Sequence, residues 1–155
     1  MTLPSHSAQA IDEISKEIIE QLQEDGRRSY AAIGKAVGLS EAAVRQRVQK
    51  LVESRVMQIV AVTNPLELGF TRQAMISIVA NDDISGTADR IAELPEVDYC
   101  LVTTGSADIL AEVICSSDED LLRVIGAIRG IDGVLGTNTF TYLSLKKQEY
   151  NWGTR

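Results

Sequence analysis

The sequence predicts an α+β fold: a helix-turn-helix near the N-terminal end, then a ferredoxin-like βαββαβ sandwich. Three observations carry this. In the first sixty residues, apolar side chains recur at helical spacing around a serine-capped glycine turn. Shifting the remaining stretch by 37 positions aligns two halves of like pattern. Within each half, alternating runs mark half-buried strands on either side of a helix-period segment. The boundaries expected are 1–55 for the helical domain, 56–70 for a β hinge or linker, and 71–155 for the sandwich.

Ile11, Ile14, Ile18 and Leu22 fall on one stripe, so a helix is expected over about 12–24, ending at Gly26. Ser29 can cap a second helix, Tyr30–Val37, with Ile33, Ala36 and Val37 as its apolar stripe. Gly38 supplies a left-handed turn residue, and Ser40 caps a third helix from Glu41 to about Ser54. On that helix Val44, Val48 and Leu51 share the face turned inward. Residues 56–64 read as a β segment closed by Pro65, which suits a wing or a hinge.

In the repeat, Ala74, Ile76 and Ile78 fall on Ala111, Val113 and Cys115. Ala88, Ile91, Leu94 and Val97 fall on Ile125, Ile128, Ile131 and Val134. Turns are expected at Pro95-Glu96 and Asp132-Gly133, and a capping box from Ser117 to Asp120. Right-handed crossovers place both helices on one face of the sheet. The strands at 73–80, 99–104, 109–115 and 135–145 are apolar on their other side too. A bare second face of that kind is costly in water, so a homodimer is expected.

Composition excludes several classes. No run of 18 apolar residues predicts a membrane span, and no charged start followed by an apolar run predicts a secretory signal. His6 is the single histidine, in a polar segment expected to be mobile, and Cys100 and Cys115 read as buried strand residues, so no metal site is expected. Two thiols are too few for a disulfide framework, and a reduced, cytoplasmic setting fits. There is no Ser-His-Asp set, glycine-rich phosphate loop or paired-carboxylate signature, hence no enzyme.

The formal net charge of −7 conceals a strong asymmetry. Residues 26–60 hold seven bases (Arg27, Arg28, Lys35, Arg45, Arg47, Lys50 and Arg55) against Glu41 and Glu53, a local balance of +5. Association follows the field at the contact face rather than the total, so this stretch is a candidate surface for double-stranded DNA. The outer face of the third helix presents Ala42, Gln46, Gln49 and Lys50, flanked by Arg45 and Arg47. Glutamine can pair bidentately with adenine and arginine with guanine, while small Ala42 admits close approach. Arg27, Arg28, Arg47 and Lys50 suit phosphates, which position without specifying, and Ser40 opens the helix beside them.

Together these residues resemble the Lrp/AsnC (feast/famine) family of bacterial and archaeal regulators. The likeness runs from Ile11 to Leu145, through IDEISKEIIEQLQEDGRRSYAAIGKAVGLSEAAVRQRVQKL, NPLELG and LVTTGSADILAEV. It implies a sequence-specific, winged helix-turn-helix transcriptional regulator joined to an effector-binding and oligomerisation domain, here 71–155. It further implies dimers that assemble up to octamers, and a small amino acid or related metabolite bound between dimers in place of any cofactor. The family's Thr-Gly-x-x-Asp loop is matched by Thr104, Gly105 and Asp108, with Ser106 and Ala107 between. Glycine there exposes backbone N–H groups to a carboxylate, and the aspartate can meet an ammonium. The last strand's threonines correspond to Thr137 and Thr139.

Two positions depart from the family pattern. Ala107 stands where an aromatic is common, which leaves more space in the loop. Arg55 replaces the glycine that ends the third helix, at roughly 1 kcal/mol if the backbone stays left-handed. The alternative reading is an oligomeric metabolite sensor whose helical domain docks protein rather than DNA.

Overall fold

The computed structural model describes residues 11–155; His6 lies outside them. The described residues form two compact units, one of residues 62–146 and one of residues 11–61 together with 147–155.

The helical unit contains α1 (Glu13–Glu24), α2 (Tyr30–Val37) and α3 (Glu41–Glu53). Each is started by a side chain that accepts a backbone N–H: Asp12 from Ser15, Ser29 from Ala32, and Ser40 from Ala43. Gly38 ends α2 at φ 73°, as the turn requires. Ile18, Leu22, Ile33, Val44 and Val48 form the core, with Ile14, Tyr30, Val37, Leu39 and Met57 partly buried against it. Ala36, expected in the apolar stripe, is exposed, and Gly34 is buried in its place. The reason is steric. A Cβ on Gly34 would stand 2.5 Å from the Leu39 carbonyl oxygen, so only glycine lets the turn fold back so closely. Arg55 keeps the left-handed backbone, at φ 58°.

Residues 57–64 form no strand, in contrast to the expected β segment. A strand needs a ladder, and among the described residues no segment pairs with this one. Residues 147–155, expected with the sandwich, make contacts with the helices. There the Gly153 N–H donates to Gln23 Oε1 at 3.1 Å, and the Thr154 N–H donates to Glu20 Oε1 at 3.2 Å.

The second unit opens on a short 3₁₀ turn, Pro65–Leu68, capped by Asn64. Then follow β1 (Arg72–Ala80), α4 (Ile84–Ala92), β2 (Val97–Val102), β3 (Ile109–Cys115), α5 (Asp118–Arg129) and β4 (Val134–Thr141). The strands form one antiparallel sheet in the order β2-β3-β1-β4, the ferredoxin-like arrangement. The repeat is visible as burial: Ala74, Ile76 and Ile78, and their counterparts Ala111, Val113 and Cys115, are all fully buried. Ile91 and Ile128 meet them from α4 and α5, both on one face. The capping box is shifted: Ser117 Oγ accepts from Asp120 N–H, but the Asp120 carboxylate accepts from Ser116 N–H, one residue earlier. β4 stops at Thr141 rather than Leu145, and Leu143 is 97% exposed. Among the described residues no helix is long and apolar enough to cross a membrane.

Candidate nucleic-acid interface and effector loop

The α2–Gly38–α3 turn fixes which side of α3 faces outward. With Val44, Val48 and Leu51 buried, Ala42, Arg45, Gln46, Gln49 and Lys50 are all exposed. The capping Ser40 and Arg27 are exposed too, and Arg28 is half-buried. Several of these side chains are already held. Arg45 pairs with Glu41 at 2.9 Å and lies over the Tyr30 ring, 5.2 Å from its centroid. The Gln49 amide donates to Glu53 at 2.8 Å, and Arg28 pairs with Glu24 at 3.1 Å.

Arg47 is turned away from this set. Its guanidinium donates to both Asp12 oxygens, at 2.9 and 2.7 Å, and to Ser15 Oγ at 2.9 Å. Those bonds hold the Asp12 carboxyl well below its ordinary range, at about 2, with the Ser15 hydroxyl and N–H adding to the effect. Arg47 thus also fastens α3 to the start of α1, a contact that sequence reasoning did not include. The pair is 35 residues apart, so no local spacing announces it. The Tyr30–Arg45 contact was not foreseen either, because it depends on how α2 and α3 cross.

In the second unit, loop 104–108 joins β2 to β3. Register sets Val102, Ile109, Ile78 and Thr137 in one row across the sheet. Thr139 lies two rows further along, opposite Ile76. Gly105 has φ 119° with open space around its Cα, so the loop's backbone is accessible. Thr104 and Ser106 are exposed, Ala107 partly buried. Asp108 is anchored at both backbone and side chain. Its N–H donates to the Ile78 carbonyl at 2.9 Å, and its Oδ2 accepts the Ala80 N–H at 2.9 Å, beside the β1 bulge. Thr137 Oγ1 accepts from Arg129 Nε at 2.7 Å, a partner sequence reasoning did not include.

The two thiols are poor nucleophiles: burial pushes both Cys100 and Cys115 upward in pKa, and nearby carboxylates add to it. Among the described residues no cluster of three or more His, Cys, Asp or Glu is placed to hold a metal ion.

Comparison with known proteins agrees with both halves. Residues 11–52 match the AsnC-type helix-turn-helix domain, and residues 73–152 match the Lrp/AsnC ligand binding domain. An uncharacterised HTH-type transcriptional regulator of Pyrococcus furiosus is 37% identical over 146 residues, covering 90% of this chain and 97% of its own. The leucine response regulatory protein LrpA of Mycobacterium tuberculosis superposes with TM-score 0.81 at 26% identity, over 89% of this chain and 96% of that one. A Neisseria meningitidis regulator, solved as an L-methionine complex, shares the fold with TM-score 0.76 at 23% identity, over 91% of this chain and 95% of that one. The chain belongs to the Lrp/AsnC family of transcriptional regulators: it is a DNA-binding regulator rather than an enzyme, and a small effector taken up by its second domain modulates it.

Proposed function

We propose that the outer face of α3 reads DNA sequence, and that loop 104–108 takes a small amino acid that sets assembly or DNA affinity. The observation that carries this is the exposed set on α3, held outward by a fully buried stripe. Gln46 and Gln49 suit adenine edges and Arg45 a guanine, with Ala42 at close approach. Ser40, Lys50, Arg27 and Arg28 take phosphates. Arg47 gives its Nη1 to Asp12 and Ser15 and would bring the rest of its guanidinium to a phosphate.

For the effector, the open backbone at Gly105, with Thr104, Ser106 and Ala107 around it, suits a ligand carboxylate. Asp108 uses Oδ2 on Ala80 and keeps Oδ1 for an ammonium. Thr137 and Thr139 add hydroxyls on β4, on the far side of β1 from the loop's strands. The names of two fold relatives, one for leucine response and one for a methionine complex, are consistent with the same ligand class.

The sheet face opposite the helices carries Met75, Leu110 and Ile114 with Tyr99 and Phe140, the last two 57% and 53% exposed. A second copy of the chain covering that face buries it and brings two α3 helices to two half-sites. The protein would then act in the cytoplasm as a homodimer or as an octamer built of four dimers, which light scattering distinguishes.

The test is a pair of variants measured by fluorescence anisotropy on duplex DNA. Lys50→Ala should weaken binding to all sequences and flatten the salt dependence, whereas Gln46→Ala should relax sequence preference. If both variants bind as the parent does, α3 is not the reader.

A further inference from the structure

We propose that Tyr30 is a positioning residue for sequence reading, holding the Arg45 guanidinium over its ring so that α3 meets DNA with that side chain already set. This rests on the reading of α3 as the DNA-reading helix.

Tyr30 is the first residue of α2, and its side chain packs against the buried cluster of Ile18, Leu22, Ile33, Val44 and Val48. The ring is therefore anchored in the bundle, while Arg45, one turn into α3, is 62% exposed. The guanidinium carbon lies 5.2 Å from the ring centroid, within the range at which the ring's quadrupole attracts a cation. Glu41, one helical turn earlier, accepts from Nη2 at 2.9 Å. An unrestrained arginine loses much rotamer freedom when it takes up a fixed fork geometry on a base. A ring beneath it and a carboxylate beside it remove part of that loss before DNA arrives. Stacking also leaves the edge of the guanidinium fork free to donate, and that edge is what a guanine's two acceptors meet.

A structural role alone for Tyr30 makes different demands. Core packing asks only for apolar bulk, which leucine supplies; holding a cation asks for an aromatic face, which phenylalanine supplies and leucine does not. The experiment selects the best-binding duplex of the parent from a random pool, then replaces each guanine in turn. Discrimination is the ratio of Kd values for the altered and selected duplexes. Parent, Tyr30→Phe, Tyr30→Leu and Arg45→Ala are compared as full chains, with thermal melts of each.

The expected result is discrimination at one guanine lowered about two- to fivefold by Tyr30→Leu, unchanged by Tyr30→Phe, and lost by Arg45→Ala. Equal discrimination by the Leu and Phe variants, with loss in Arg45→Ala, overturns the positioning role and leaves α3 as the reader. Unchanged discrimination in Arg45→Ala overturns both. A Tyr30→Leu melt well below the parent's transfers the comparison to Tyr30→Met, which keeps unbranched apolar bulk, with the same two outcomes.

Discussion

Replacing glycine by alanine inside a helix normally stabilises it, and here the same change should act with opposite sign at two positions. Gly34 and Gly126 both lie within helices, α2 and α5. A Cβ on Gly126 meets nothing within 4 Å, so Gly126→Ala gains the ordinary helix-propensity difference of about 0.5–1 kcal/mol. A Cβ on Gly34 meets the Leu39 carbonyl oxygen at 2.5 Å and two more backbone carbons at 3.5 Å. Relief requires roughly 0.8 Å of opening between α2 and the turn that follows it. The atom in the way is backbone, and the same turn is tied down by the Leu39 N–H donating to the Gly34 carbonyl at 2.9 Å. Overpacking of this kind costs about 1–3 kcal/mol, and the propensity gain offsets up to about 1. The net expectation for Gly34→Ala is a loss of about 1–2 kcal/mol, or roughly 5–15 °C in the melting of a unit this small. Circular dichroism melts of the full chain, with hydrogen exchange to separate α2–α3 from α5, measure both variants. Because the turn aims α3, Gly34→Ala should also weaken DNA binding, and Gly126→Ala should not. A Gly34→Ala protein as stable as the parent refutes the reasoning.

Arg55→Gly should stabilise the helical unit by about 0.5–1 kcal/mol, since it removes a left-handed non-glycine residue at φ 58° against glycine's greater chain entropy; urea unfolding reads it. The Asp12 carboxyl, held at about 2 by Arg47, contributes stability that is present above pH about 4 and is lost as pH falls towards 2. Asp12→Asn keeps a capping side chain but removes that titration, so the parent should lose more stability than the variant between pH 5 and pH 2.5 in parallel melts. Asp108→Asn retains an oxygen for the Ala80 N–H and should fold as the parent while losing the response to amino acids. Asp108→Ala also strands that N–H, at about 1–2 kcal/mol, which calorimetry distinguishes.

Local chemistry was legible in the sequence, and long-range contact was not. Ser29, Gly38 and Ser40 announced the turn because each acts on its immediate neighbours, and the 37-residue shift announced the sandwich because both halves obey one burial pattern. Gly34 gave no such signal: its need for a bare Cα arises only when the turn folds back on it. Arg47 looked like its basic neighbours, and only the approach of α1 turned its charge inward. Residues 57–64 carried strand-like composition, but a strand is a property of two segments, and no described segment pairs with this one. The tail's contacts with Gln23 and Glu20 span at least 130 residues, beyond any motif. At loop 104–108 the residue types were legible, while the Ala80 N–H on Asp108 and Arg129 on Thr137 depend on strand register.

The central claim is that this chain binds specific DNA through α3 and that a small amino acid alters the binding. The most direct measurement is fluorescence anisotropy of the full protein on DNA flanking its own gene and on a shuffled control. It is run at two salt concentrations, with and without a pool of amino acids. The expected result is tighter binding to the native DNA, weakening steeply with salt and shifted by the pool. Equal binding to both duplexes in every condition, unmoved by amino acids, would contradict it.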